Sequence, residues 1–385
     1  MKVSFPYMGP VIAYKKLLEN LGHEVIMPHR PTQKTFDTGV LYSPEFICYP
    51  FKVMMGTYFD VCQRGAEVII SSGGSGPCRA GMYCEVHEKI LKDQGYDVPI
   101  IVFDSIFKNP KKFFSQLKMV TGKTSFFKIV KWVIIASKMV NQLDFLQSET
   151  NKLRAYEINK GDFEHCTNEI EKLYDKVSDF KSLKETFKKA KELLYGVKID
   201  KSRPRIRIGV VGEIYVAMES ATNMNVEKRL NALGAEVYNI QNISGWIKHN
   251  IIPKRFNHSE SWKAWNKALK YKTCACGGHD MENTGYIMEF AEQGFDGVVH
   301  LMPFGCLPEL ITRSILPQLS EEYDIPVLTM SIDEQNGEAN TQTRLEAFVD
   351  LCKNRKAKKL SPSGKAKKPS ESNLSNKKQP VGAAK

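Results

Sequence analysis

No stretch of this 385-residue chain is long and apolar enough to span a bilayer. The most apolar one, Ser125 to Val140, is short and carries Lys128, Lys131 and Lys138. Met1 to Lys16 lacks a charged start followed by a long apolar run, so no secretory signal, no membrane partner and a cytoplasmic location are expected. The nine cysteines form no regular framework, which argues against a disulfide scaffold and makes metal or redox chemistry the default use of any exposed group of them. No G-x-G-x-x-G follows the first apolar segment, so the usual dinucleotide fingerprint is missing. From Asn109 to Gly196 glycine is scarce and proline stops at Pro110, leaving few residues that would interrupt a helix. Residues 353–385 are almost devoid of apolar side chains and are expected to be a disordered basic tail. That tail holds eleven Lys or Arg and one acid, so its +10 leaves only +2 of the chain's +12 for the body. A nearly neutral body argues against specific nucleic-acid binding, and the tail reads as a solubilising extension.

What is present is organised in two similar halves. Lys2 to Phe5, Glu24 to Met27, Val68 to Ser71 and Pro99 to Phe103 are strand candidates, separated by helical patterns at Val11 to Leu21, Phe51 to Arg64 and Gly81 to Gln94. Strands alternating with helices predict a parallel α/β domain over residues 1–106. Residues 107–203 form a helical region, with Phe126, Ile129, Val133, Ala136 and Val140 at helical spacing. After Pro204 a second α/β domain is expected over 204–352, from Arg205 to Glu213, Ala235 to Ile240, Gly297 to Met302 and Ile325 to Met330. The fold class is therefore α/β: two Rossmann-like parallel-sheet domains with a helical insert.

Three loops carry the candidate chemistry. Cys48 precedes Tyr49-Pro50, where the proline favours an element boundary. Cys78 ends the loop Gly73-Gly74-Ser75-Gly76-Pro77, which follows a strand candidate. Cys306 ends Pro303-Phe304-Gly305 after the corresponding strand of the second half. Loops at the carboxyl ends of strands are where open α/β sheets bind ligands. Glycines let the backbone approach a bulky anionic group, and thiolates bind soft metals and iron–sulfur clusters. Gly73, Gly74, Ser75 and Gly76 would also serve as an anion nest for a nucleotide or a CoA pyrophosphate. Pro77 stands where the nucleophile elbow G-x-S-x-G needs glycine. Cys274-x-Cys276 with His279 is closer than the usual zinc spacing. Glu213 and Glu219, after the first strand of the second half, are candidate acids or bases or else structural ion pairs. His279 is either a ligand-facing donor or plain loop.

Taken in order, CYPFKVMMG at Cys48, GGSGPCRAGMY at Gly73, RIGVVGEIYVAMES at Arg207, GGHDMENTG at Gly277, GFDGVVHLMPFGCLPE at Gly294 and IPVLTMSIDEQNGEANTQTRLEAFVDLC at Ile325 resemble the 2-hydroxyacyl-CoA dehydratase (2-hydroxyglutaryl-CoA dehydratase D-component) family, in its activase-related branch. The resemblance implies a [4Fe-4S] cluster on Cys48, Cys78 and Cys306 with one iron open. It implies one-electron, low-potential reduction of a 2-hydroxyacyl-CoA to a ketyl radical anion that expels the hydroxyl. It also implies a separate ATP-hydrolysing activator of the actin and Hsp70 type, and a homo- or hetero-dimeric partner subunit. The alternatives are a non-catalytic electron-transfer or activator-binding iron–sulfur protein, and a double-cubane-type reductase of small molecules.

Overall fold

The computed structural model describes residues 1–73, 77–103, 110–202, 205–251, 259–271, 275–335 and 337–360. The first half runs β1 (Lys2–Ser4), α1 (Val11–Asn20), β2 (Glu24–Val25), α2 (Gln33–Tyr42), α3 (Tyr49–Gln63), β3 (Val68–Ser71), α4 (Tyr83–Asp93) and β4 (Ile100–Val102). Four helices follow: α5 (Pro110–Thr121), α6 (Phe126–Leu153), α7 (Asp162–Asp175) and α8 (Phe180–Gly196). The second half runs β5 (Ile206–Gly212), α9 (Ile214–Met218), α10 (Val226–Ala232), β6 (Ala235–Asn239), α11 (Ile243–Ile251), α12 (Glu260–Ala268), α13 (Asp280–Glu292), β7 (Gly297–Pro303), α14 (Leu307–Glu322), β8 (Val327–Ile332) and α15 (Glu338–Leu360).

The strands form two parallel four-stranded sheets of the same plan, ordered β2-β1-β3-β4 and β6-β5-β7-β8. In each, the chain reverses direction across the sheet between the two central strands, β1/β3 and β5/β7. That switch point is where α/β sheets leave a crevice at their carboxyl edge. Because each crossover helix runs back against its strands, the helix N-termini collect at the same edge. The central strand β7, buried at every residue, is Gly-Val-Val-His-Leu-Met-Pro, as expected for a strand covered on both faces.

One apolar core joins the two halves. Phe51, Met55 and Tyr58 of α3 pack in a single buried cluster with Tyr215 and Val216 of α9 and with Leu345 and Val349 of α15. A fully buried side chain of this size contributes about 1.5–3 kcal/mol, so the shared core fixes one half against the other. The ion pair Lys52–Glu334, 2.5 Å long and with Lys52 buried, crosses the same boundary. Helices α2 and α3 cross almost in backbone contact: a Cβ on Gly39 would lie 1.9 Å from the Lys52 carbonyl oxygen, and one on Gly56 equally close to that of Thr35. This close crossing seats the start of α3.

Element positions follow the sequence expectation to within a few residues, with two differences. The helix preceding β3 begins at Tyr49, two residues earlier than periodicity suggests, so that Cys48 becomes its N-cap. The basic tail expected to be disordered from 353 is helical as far as Leu360. Its composition reads as a solvated segment, but Phe348, Val349 and Cys352 anchor α15 in the core and the next turns inherit that helix. Three of the basic residues are then used in place, Arg355 and Lys359 on Asp324 and Lys356 on Asp296. The rest of the tail lies outside the described residues.

Candidate functional site

All three candidate thiols stand at helix N-caps on the carboxyl edges of the sheets. Cys48 caps α3, Cys306 caps α14, and Cys78 caps the single 3-10 turn Arg79–Met82 that leads into α4. A helix N-terminus offers unpaired N–H groups and a partial positive charge, which favour a thiolate. The Ala80 amide acts on Cys78 and the Glu309 amide on Cys306 in this sense, lowering the thiol pKa without closing a full capping hydrogen bond.

Burial works the other way and wins. Cys48 and Cys306 are each 6% exposed, and Cys78 is half-buried. Desolvation pushes all three thiols up, most of all Cys306, which also feels the carboxyls of Glu309 and Glu213. Cys78 and Cys306 are each raised further by the charge of Cys48, so Cys48 lies within electrostatic reach of both other sulfurs. Two neighbours relieve Cys48: the Tyr83 hydroxyl hydrogen-bonds its sulfur, and the Arg79 guanidinium favours its thiolate. His87, stacked on Phe51 at 3.8 Å and bonded through Nε2 to the Phe51 carbonyl, steadies this start of α3. Burial holds its pKa down at about 3, so the ring is neutral.

On the other side of the seam, Glu213 follows β5 directly and caps α9, accepting from the Val216 amide at 3.0 Å. The residue is partly exposed, yet its carboxyl group is desolvated. Desolvation dominates and raises its pKa to about 7, with a smaller push from Glu309. Glu309 itself is fully buried and held by the His300 Nε2 at 2.7 Å and by the Asn283 Nδ2, which lies 3.0 Å from each carboxylate oxygen. Asn283 in turn accepts from the Gly212 amide, so the network ties α13, α14, β5 and β7 together at the switch point.

The sign of the Glu213 shift has a measurable consequence. A carboxyl raised from 4.5 to about 7 on folding binds more protons in the native state across that window, so it supports stability below about pH 4.5 and loses that support as pH rises to about 7. In the metal-free chain the loss amounts to at most about 3 kcal/mol. Glu213→Gln is expected to flatten this part of the stability profile, read by urea titration at pH 5 and pH 8. An unchanged difference between the two pH values would mean that Glu213 is not desolvated.

His279 caps α13 and lines a cavity of about 450 Å³ with Gln241, Asn242, Trp246, His249 and Glu282. Burial lowers its pKa, while the charges of Glu309 and Asp280 raise it. Glu219 is not part of this gathering. It ends α9, accepts from the Ala221 amide at 3.0 Å and faces Arg30 at 3.4 Å, as a structural pair would. Gly73 lies at the mouth of the Cys78 loop, but Gly74, Ser75 and Gly76 lie outside the described residues, as does Cys274. Cys84 is buried on α4. Among the described residues no three His, Cys, Asp or Glu side chains meet at one metal-ion position. This does not bear on a [4Fe-4S] cluster, each corner of which takes its own thiolate.

Residues 197–351 match the family model for the 2-hydroxyglutaryl-CoA dehydratase, D-component. The C-terminal α/β half belongs to that family. No curated protein matches the chain. The D-component match includes Cys306, Glu213 and His279 but neither Cys48 nor Cys78, which come from the first half of the fold. Sequence reasoning did not single out Tyr83 or Arg79. Arg79 and Tyr83 lie in the GGSGPCRAGMY segment, yet their partners Phe46, Gly305 and Cys48 are distant in sequence, so only the folded chain reveals their roles.

Proposed function

We propose that this chain is the iron–sulfur subunit of a 2-hydroxyacyl-CoA dehydratase-type system, with Cys48, Cys78 and Cys306 holding a [4Fe-4S] cluster in the seam between the two sheets. The observation that carries this reading is that Cys48 lies within electrostatic reach of both Cys78 and Cys306, each of the three capping a helix or 3-10 turn, and that the Glu213 carboxyl acts on all three thiols. The donor set fits the group: soft sulfur ligands, partly or fully buried, with N–H groups behind them and a hydroxyl on one sulfur. Three protein thiolates would leave one corner free for a substrate oxygen. When bound, such a cluster supplies one low-potential electron to an acyl thioester.

The remaining tasks fall to the chain itself. Glu213, with its pKa at about 7, holds or releases a proton at its carboxyl under neutral conditions, which suits general acid–base work on a departing hydroxyl. His279 presents a neutral ring to the 450 Å³ cavity and would orient an acyl group there. Around the thiols, Phe46, Met82, Phe304 and Leu307 are exposed. An apolar ring of this kind suits the docking of an ATP-hydrolysing activator that delivers the electron.

The test is turnover under strict anaerobiosis with a reductant, ATP, an activator of this type and a panel of 2-hydroxyacyl-CoA thioesters. Activator-dependent formation of the 2-enoyl-CoA is expected. Reduction by the activator with no thioester consumed would instead make the chain an electron carrier. Within the same reading, Tyr83→Phe removes a hydrogen bond from a cluster sulfur and is expected to lower the reduction potential. One bond of about 1 kcal/mol corresponds to about 40 mV for a one-electron couple. A redox titration followed by EPR measures the shift, and an unchanged potential would remove Tyr83 from the site.

A further inference from the structure

We infer that Arg79 is the positioning residue that latches the three cysteine loops into one site across the seam, an inference that rests on the cluster reading above. Arg79 directly follows Cys78. Its Nη1 donates to the carbonyl of Phe46 at 2.8 Å, two residues before Cys48, and its Nη2 donates to the carbonyl of Gly305, the residue before Cys306. One side chain thus touches the backbone of both other loops. Cys48 and Cys78 belong to the first sheet's half and Cys306 to the second's, so the donor set is divided between two units unless something joins them at this point.

The guanidinium is suited to that task because its planar fork fixes the separation and direction of two acceptors at once, which a lysine ammonium cannot do. The Cys306 loop is shaped to meet it. Gly305 has φ +72°, and a Cβ there would stand 3.4 Å from Arg79 Nη2 and 3.7 Å from the Phe46 carbonyl oxygen, so the loop reaches the latch through a residue without a side chain. Among the described residues no carboxylate pairs with Arg79, and its charge acts on the Cys48 thiol.

The experiment uses the full-length, metal-free chain and a short reagent that alkylates two thiols. The ratio of Cys48–Cys306 bridged product to singly alkylated product is measured by peptide mass spectrometry and divided by the single-alkylation rate of each thiol with a monofunctional reagent, which removes the effect of Arg79 on Cys48 reactivity. For Arg79→Ala the ratio is expected to fall about tenfold or more, since two hydrogen bonds from a charged donor are lost. Arg79→Lys, which keeps the charge and one donor, is expected to fall between. Added guanidinium ion at millimolar concentration is expected to restore part of the ratio in Arg79→Ala and to leave wild type unchanged. After iron and sulfide reconstitution, Arg79→Ala should hold less iron per chain and give a broadened EPR signal. A bridging ratio equal to wild type in both variants overturns the inference, whatever their melting temperatures. If no chain takes up iron, wild type included, the cluster reading fails, and the bridging ratio still decides whether Arg79 is the latch.

Discussion

Cys48→Ala, Cys78→Ala and Cys306→Ala are each expected to abolish the cluster, dropping iron and acid-labile sulfide from about four of each per chain to near zero after anaerobic purification. The expectation is all-or-none because each thiol occupies its own cap position, and among the described residues no second cysteine caps the same element. Cys84→Ala and Cys62→Ala are the controls. Both residues are buried on helix faces rather than in the three loops, and their loss should cost packing alone. Retention of iron in any one of the three loop variants would remove that residue from the ligand set. A wild-type chain that takes up no iron would end the assignment, leaving a two-sheet α/β protein with a cavity beside a buried acid network.

The second large effect is on stability. Glu309→Ala is expected to cost about 3–5 kcal/mol, the range for removing one partner from a buried, hydrogen-bonded charged group. Glu309 and His300 are 1% and 0% exposed, so nothing replaces the lost carboxylate. The His300 Nε2 and the Asn283 amide would then stand without acceptors in a dry interior. Because Asn283 also holds the Gly212 amide, the damage should spread to the β5/β7 switch point and loosen Glu213 with it. Glu309→Gln, which keeps an acceptor oxygen and the volume, should cost less than half as much. Urea denaturation of the metal-free proteins measures both, and a Glu309→Ala midpoint equal to wild type would show that the network carries no stability.

The alternation of short β-branched runs with helical patterns, read along the chain, gave two parallel sheets and their central strands to within a few residues, since local periodicity reports which face of each element is buried. It was less informative where the elements are short or polar. Helix α2 carries few apolar residues and its place is decided by the Gly39–Gly56 crossing, which involves residues on two helices. Helix α15 extends past the compositional boundary because its middle turns are anchored by Phe348, Val349 and Cys352, and composition alone does not count anchors.

The candidate site divides in the same way. That Cys48, Cys78 and Cys306 belong in loops after or between strands was legible from prolines and glycines beside them, because those residues restrict backbone conformation locally. Their meeting in one seam was not. It depends on a core shared by α3, α9 and α15 and on Arg79 bonding carbonyls 33 and 226 residues away. The same holds for protonation. Glu213 reads as an ordinary carboxyl in the sequence and becomes a group of pKa about 7 only when folding desolvates it. The sequence by itself determined the strand and helix repertoire, the thiol-bearing loops and the family of the C-terminal half, since these depend on near neighbours along the chain. Tertiary structure alone decided which thiols face one another, which acid is desolvated and which cation joins the loops, because burial and long-range hydrogen bonds exist only between segments that folding has brought together.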